Sequence, residues 1–223
     1  MTQPGSAATT AVYSYGRTRS ARCPNKMLRP FAGTTLTDIM LGKLALLRHP
    51  AFFAGFEPEF QTRAARHGVR FVQRDERSAT IDEPIADILS FLGPLPFTHF
   101  LCVNASLPFL SVDAIETFLD DCLAHDRQPA FGVMRKTNHL MTLDRRPLNF
   151  DLAAKTINTK TVRPVLEFAH ALYFFEKAYF FSEGTLWDWN TVRLIEIPDK
   201  LQTVDIDTEE DFEIAEALWK GLH

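Results

Sequence analysis

Gly16-Arg17-Thr18-Arg19-Ser20-Ala21-Arg22-Cys23-Pro24-Asn25-Lys26 is the stretch on which the reading of this chain turns. An apolar run, Ala11 to Tyr15, leads into it, and no acidic residue precedes Asp38. Four cations on one short loop repel one another unless an anion sits among them, and they stand in a chain whose net charge is -4. Backbone amides at a strand-to-loop turn add donors for the same anion. A nucleoside triphosphate fits this chemistry, whereas a solvated basic loop accounts for the charge alone. No Gly-Lys-Ser/Thr closes the loop and no G-x-G-x-x-G occurs in the chain, so kinase-type and dinucleotide-binding readings lose support.

Outward from the loop, short apolar runs alternate with amphipathic stretches, the pattern of a parallel sheet covered by helices. Ala11 to Tyr15 reads as the first strand. Thr37 is placed to cap a helix through Ile39, Met40, Leu44 and Leu47. Ala51 to Ala54 and Val69 to Val72 read as strands flanking a helix from Pro58 to His67. A helix is expected over Glu83 to Phe91 with Asp82 as its cap, then a strand from Phe97 to Val103 and a turn from Asn104 to Pro108. Ser111 caps the next helix, which reaches about Ala124, and Ala130 to Met134 is a further strand. Periodicity fails from Arg135 to Thr161, which is long for a plain loop, and this segment is expected to meet a partner subunit or close over a substrate. The core pattern resumes at Val165 to Phe175. Nothing divides the chain, so one domain over 1–223 is expected, with residues 1–10 flexible.

Composition narrows the function classes. With 46% hydrophobic residues the 223-residue chain is ordinary for a globular protein. Its acidic balance argues against general nucleic-acid binding. Cys23, Cys102 and Cys122 make no C-x-x-C pair and no zinc-ligand spacing. The first eleven residues lack the regions of a signal peptide, and no apolar run approaches the ~20 residues of a membrane span. A cytoplasmic protein without membrane or nucleic-acid partners is expected. His99 and His170, inside apolar runs, read as core histidines, and the aromatic run around Tyr173 to Phe181 reads as core. No G-x-S-x-G and no cysteine paired with a base supports nucleophilic catalysis.

The acidic counterpart of the loop is Thr203-Val204-Asp205-Ile206-Asp207-Thr208-Glu209-Glu210-Asp211-Phe212. On a strand, residues two apart share a face, so Asp205 and Asp207 can address one site. Two carboxylates beside a triphosphate suit Mg²⁺, which takes a few carboxylates plus phosphate oxygens. Thr208 is placed to cap a last helix with Phe212, Ala215, Leu218, Trp219 and Leu222 along one stripe. Glu209, Glu210 and Asp211 in its first turn are explained by the helix dipole.

The order of residue types in the loop, R-x-x-S-x-R-x-P-x-K-x-L over Arg17 to Leu28, followed by Pro30-Phe31-Ala32-Gly33, resembles the signature loop of the acylneuraminate cytidylyltransferases, the CMP-sialic acid synthetase-like enzymes that activate acidic sugars. The acidic segment is similar to that family's closing V-D-I-D-T-x-x-D-F motif. The resemblance runs nearly the whole chain in collinear order. It implies a Rossmann-like three-layer α/β nucleotidyltransferase fold with a mostly parallel mixed sheet, and transfer of CMP from CTP to an acidic sugar with release of pyrophosphate. Arg17, Arg22 and Lys26 would hold the triphosphate, with Ser20 adding a hydrogen bond. Arg74 stands where a family arginine helps bind the nucleotide, and Ser78 and Thr80 lie in the stretch facing the cytosine ring. Asn104 opens the segment beside sugar and nucleotide. Asp205 and Asp207 would hold the magnesium. Arg17, Lys26 and Asp207 form the implied catalytic set, while Arg19, between motif positions, is expected to matter less. A homodimer is also implied. Met27, Asn104 and Lys160 depart from the family pattern, and they motivate the alternative of a non-catalytic nucleotide-binding or regulatory relative.

Overall fold

The computed structural model describes residues 9–222. The expectation of a flexible start therefore lies outside the described residues except at Thr9 and Thr10. Thr10 opens β1 (Thr10–Tyr15), and the Thr9 amide donates to Thr98 Oγ1 at 3.0 Å.

β1 is buried on both faces because it lies inside a seven-stranded sheet ordered β3-β2-β1-β4-β6-β5-β7. Parallel neighbours need crossovers, and the amphipathic stretches provide them. α1 (Leu36–Leu46) joins β1 to β2 (Ala51–Gly55), and α2 (Pro58–Arg66) joins β2 to β3 (Arg70–Gln73). After α3 (Glu76–Thr80) and α4 (Ile85–Ile88), β4 (His99–Val103) pairs parallel with β1. α5 (Val112–Ala124) leads to β5 (Ala130–Lys136), and β6 (Val165–Glu176) runs antiparallel between β4 and β5. α6 (Lys177–Glu183), β7 (Arg193–Glu196), parallel to β5, and α7 (Glu209–Leu222) complete the chain. One face of the sheet packs Val12, Phe53 and Leu101 under α1, α2, α5 and α7. The other packs Tyr13, Phe52 and Phe100 under Leu89, Phe180 and Trp187. Helical layers on both faces make the mostly parallel mixed sheet of a three-layer α/β fold.

Several local expectations change. Thr35, not Thr37, caps α1: its hydroxyl accepts from the Asp38 amide at 3.1 Å, while Thr37 is buried with its hydroxyl donating to the Met27 carbonyl at 2.6 Å. The helix expected over Glu83 to Phe91 shrinks to α4 and a 3-10 turn, Ser90–Leu92. Pro84 restricts the residue before it to extended backbone, and Asp82 is engaged by Arg17 instead of capping. α3 arises where the sequence assigned no element, because Asp75 caps it by accepting from the Ser78 amide at 2.6 Å. On α7, Phe212 and Ala215 are buried, whereas Leu218 and Leu222 are exposed.

Arg135 and Lys136 belong to β5, so the irregular excursion begins at residue 137. It is pinned by the buried Asn149 side chain, which accepts from the Leu140 amide (2.9 Å) and donates to the Asn138 (2.8 Å) and Arg163 (3.0 Å) carbonyls. Leu143 and Ile157 point to solvent, 106% and 93% exposed, so this segment contributes apolar surface and little core. No described helix is long and apolar enough to cross a membrane.

Candidate active site

The loop after β1 starts where the chain leaves the sheet between Phe53 and Phe60. A Cβ on Gly16 would lie 2.9 Å from Phe60 Cε1 and 3.1 Å from Phe53 Cζ, so only glycine lets the backbone pass. The turn then closes on itself. Asn25, with left-handed φ of 54°, donates its amide to the Thr18 carbonyl at 3.1 Å. The Thr18 amide donates to Glu57 Oε1 at 3.0 Å, Ser20 Oγ accepts from the Cys23 amide at 3.3 Å, and Cys23 is fully buried as an anchor. Arg17, Arg19, Ser20, Arg22 and Lys26 all reach the wall of one cavity of about 930 Å³.

Across that cavity stand Asp205 and Asp207. The segment carrying them is extended chain without a sheet partner, not the strand expected, yet the alternation survives. Ile206 is fully buried and donates its amide to the Ser106 carbonyl at 3.1 Å, which turns both aspartates into the cavity. The two segments are joined directly. Lys26 Nζ donates to the Ile206 carbonyl and stands 3.5 Å from Asp207 Oδ1, which Arg22 approaches at 2.9 Å. Arg17 is tied elsewhere in the wall, to the Ile81 carbonyl at 3.0 Å and Asp82 at 2.6 Å. Among the described residues, Arg19 alone of the four loop cations has no ion pair or hydrogen bond, although its place between motif positions gave it the lesser expected role.

Asp205 is held by Asn104. The Asn104 amide group donates to Asp205 Oδ2 at 3.2 Å and to the His170 carbonyl at 2.8 Å, while its Oδ1 accepts from the Ser106 amide at 2.9 Å. Asp205 Oδ1 is buried and has no hydrogen-bond partner among the described residues. Burial, and then the neighbouring Asp207 charge, push the Asp205 carboxyl above its ordinary value. A buried carboxylate oxygen left without a donor suits a hard cation, so Asp205 with Asp207 forms a donor set that fits Mg²⁺.

Of the acids in the first turn of α7, two have structural roles. Asp211 and Thr208 form a reciprocal cap, with the Asp211 amide 3.2 Å from Thr208 Oγ1 and the Thr208 amide 2.8 Å from Asp211 Oδ2. The Thr208 hydroxyl and amide hold the Asp211 carboxyl below its usual value. Glu209 pairs with Arg29 at 2.7 Å.

Two expected nucleotide contacts are placed away from the cavity. Arg74 is 1% exposed, and its guanidinium donates to Ser78 Oγ (3.1 Å), the Gly16 carbonyl (3.2 Å) and the Ile88 carbonyl (3.3 Å). It also lies over the Tyr15 ring at 4.9 Å. Ser78 is likewise buried and donates to the Ile88 carbonyl at 2.7 Å. The α3 turn directs both inward, so they brace the loop's first residue from behind, while Thr80 and Asp82 reach the wall. Lys160 and the rest of residues 137–161 do not line the cavity.

His170, expected in the core, is instead exposed in the wall. β6 pairs Phe168 with Val133 but Tyr173 with Phe131, so it carries extra residues between them. This bulge, with His170 at a left-handed φ of 49°, aims the imidazole outward. Its Nδ1 lies 3.0 Å from the Tyr173 hydroxyl. No periodicity in the sequence announces a bulge, and a histidine among apolar residues reads as core.

No family model matches the chain, and no curated protein matches it. Among solved structures, it superposes on a CMP:2-keto-3-deoxy-manno-octonic acid synthetase complexed with CTP at a TM-score of 0.71 and 11% identity, covering 97% of this chain and 100% of that one. A cytidylyltransferase from Leptospira borgpetersenii serovar Hardjo-bovis aligns at 0.62 and 13% identity, covering 96% and 87%. A 4-diphosphocytidyl-2C-methyl-D-erythritol synthase from Anaerococcus prevotii aligns at 0.62 and 13%, covering 96% of each chain. At these identities the likeness is one of fold: the chain shares the three-layer α/β architecture of these structures.

Proposed function

From that fold and that cavity we propose a cytidylyltransferase that moves CMP from CTP to a hydroxyl of an acidic sugar and releases pyrophosphate. The observation that carries the reading is the meeting of the Arg17–Lys26 loop with Asp205 and Asp207 in one cavity, where Asp205 Oδ1 is buried without a partner. The choice of CTP and of an acidic sugar draws support from the motif resemblance. It draws further support from the fold neighbour that bears CTP and is named for an acidic sugar.

Arg19, Arg22 and Lys26 would grip the triphosphate and offset the charge that builds on the departing pyrophosphate. Ser20 is in the same wall to add a hydrogen bond. Arg17, fixed by Asp82 and the Ile81 carbonyl, would border the nucleotide beside Thr80. Asp205 and Asp207 would hold Mg²⁺, which neutralises phosphate charge and polarises the α-phosphate when bound. Asn104 orients Asp205 for that task. The sugar hydroxyl oxygen forms a bond to the α-phosphorus, the bridging bond to the β-phosphate breaks with its electrons leaving on pyrophosphate, and the hydroxyl proton passes to water. Positioning and electrostatics supply the rate gain, since no covalent intermediate with the protein is needed. The exposed apolar residues of the 137–161 excursion support a homodimer.

Calorimetric titration with CTP, ATP, GTP and UTP in Mg²⁺, run beside a pyrophosphate-release assay with acidic sugars, tests the reading. CTP-selective binding and acceptor-dependent release are expected. Equal affinity for the four nucleotides contradicts it, and CTP binding without release from any acceptor favours a non-catalytic relative.

A further inference from the structure

Lys43 of α1 is held by carbonyls and by no acid. Its Nζ donates to the Leu107 carbonyl at 3.0 Å and to the Pro108 carbonyl at 2.6 Å. Among the described residues it has no ion pair. The acids of the neighbouring helices are committed elsewhere: Asp38 of α1 to Arg63 and His67, and Glu116 and Asp120 of α5, which packs on α1, to Arg48. Burial alone lowers its pKa to about 7. A charge in such a place costs stability, so the contribution of this side chain lies in the two carbonyls it holds.

Those carbonyls belong to a turn with two sides. On one side Asn104, Ala105 and Ser106 line the reaction cavity, whose wall Lys43 does not reach. On the other side Leu107 and Pro108 are buried. The cavity side aligns the acidic segment. Asn104 Nδ2 donates to Asp205 Oδ2 at 3.2 Å, and the Ser106 carbonyl accepts from the Ile206 amide at 3.1 Å. Without Lys43, and among the described residues, the Pro108 carbonyl loses its donor and the Leu107 carbonyl keeps only the Leu110 amide at 3.4 Å. Buried carbonyls stripped of donors are costly, and the turn would move to recover partners.

We propose that Lys43 is a positioning residue for the metal end of the site, holding from behind the turn through which Asn104 and Ser106 align Asp205 and Asp207. The inference rests on the reading of that pair as Mg²⁺ ligands in a cytidylyl-transfer site. Lys43 touches neither nucleotide nor acceptor. Its effect reaches the carboxylates and not the basic loop, which lies on the other side of the cavity. Groups that orient metal ligands from behind commonly set metal affinity by about ten- to a hundredfold.

Mn²⁺ added alone to the full chain is the probe, because electron paramagnetic resonance reads its binding without nucleotide or turnover. Lys43→Met keeps the stem and removes the donor. Its dissociation constant for Mn²⁺ is expected to rise about tenfold or more, with a parallel rise in the Mg²⁺ concentration for half-maximal rate. CTP affinity measured in EDTA should stay at the wild-type value. Asn104→Ala should also weaken Mn²⁺ binding, and Lys43→Met should add little to that loss, because residues acting through one contact are not additive. Wild-type Mn²⁺ affinity in folded Lys43→Met, full additivity in the double variant, or an equal loss of CTP affinity in EDTA overturns the assignment. A wild-type protein that binds no Mn²⁺ overturns it together with the metal reading. A wild-type protein that binds Mn²⁺ but not CTP sinks the transfer reading alone, and the Mn²⁺ series still judges Lys43.

Discussion

Asn104 reaches Asp205 across 101 positions of sequence, its Nδ2 lying 3.2 Å from Asp205 Oδ2, and so leaves Oδ1 facing inward without a donor. The asparagine that departs from the resembled motif thus holds an acid in place, on a wall shared with the basic loop. Because the same asparagine also grips the His170 carbonyl and the Ser106 amide, one side chain fastens three of the segments that line the cavity: its own turn, β6 and the Asp205–Asp207 stretch.

Asp205→Asn is expected to stabilise the metal-free protein while disabling it. A carboxyl held above its unfolded value costs stability at every pH above its folded value, and that cost vanishes below the unfolded value near 3.8. At neutral pH the substitution should therefore raise the unfolding free energy by about 0.5–2 kcal/mol and remove the stabilisation that Mg²⁺ confers. Denaturant melts with and without Mg²⁺ decide it; a less stable variant, or an unchanged Mg²⁺ response, contradicts the metal assignment.

Lys26→Ala should raise the dissociation constant for CTP about ten- to a hundredfold, the value of one lost charge-assisted hydrogen bond. Arg19→Ala should weaken binding by a comparable factor, because its guanidinium is the loop cation not already engaged. Calorimetry on the two well-folded variants is the measurement, and unaltered affinity in both would remove the loop from triphosphate binding.

Asp207→Asn and Glu210→Gln each delete one acid near the start of α7, and they separate the site from the helix. The first should increase the Mg²⁺ concentration needed for half-maximal rate and lower turnover sharply. The second should cost roughly 0.3–1 kcal/mol of stability with no change in Mg²⁺ dependence. Identical Mg²⁺ curves for both variants and wild type would make Asp207 structural.

Arg74→Met addresses a residue whose expected role was nucleotide contact. It strips the donors from the Gly16, Ser78 and Ile88 carbonyls, so a loss of at least about 1–3 kcal/mol in stability is expected. CTP affinity of the folded fraction should fall less than in Lys26→Ala. A stable variant that loses CTP binding would instead put Arg74 in contact with the nucleotide.

Lys43 sits under the Asn104–Pro108 turn, its ammonium donating to the Leu107 (3.0 Å) and Pro108 (2.6 Å) carbonyls. Burial lowers its pKa from 10.5 to about 7. The folded value is the lower one, so between these limits the unfolded chain holds the extra proton and stability rises with pH. Compared with Lys43→Met, wild type should gain stability from about pH 7 to about pH 10, by at most roughly 5 kcal/mol. Urea melts across that range check it, and a pH-independent difference would mean the amine stays protonated throughout.

What the sequence determined by itself is what local chemistry controls. The glycine-opened basic loop, the alternation of Asp205 and Asp207 about Ile206, the Thr208–Asp211 cap and the strand-helix alternation through α2 and β3 all arise from residues within a few positions of one another. Charge density, period and capping are properties of such short windows, and they sufficed for the α/β architecture and for the two poles of the cavity. The tertiary structure decided which side chains face that cavity. Arg74 stands where the resemblance implies a nucleotide contact, but α3 folds over it, and it is held by Gly16 and Ile88, 58 and 14 positions away. His170 looks like core until β6 must satisfy β4 on one edge and β5 on the other, which forces out the bulge. Exposure and counter-charge depend on neighbours brought together by the sheet, and no short window of sequence contains them.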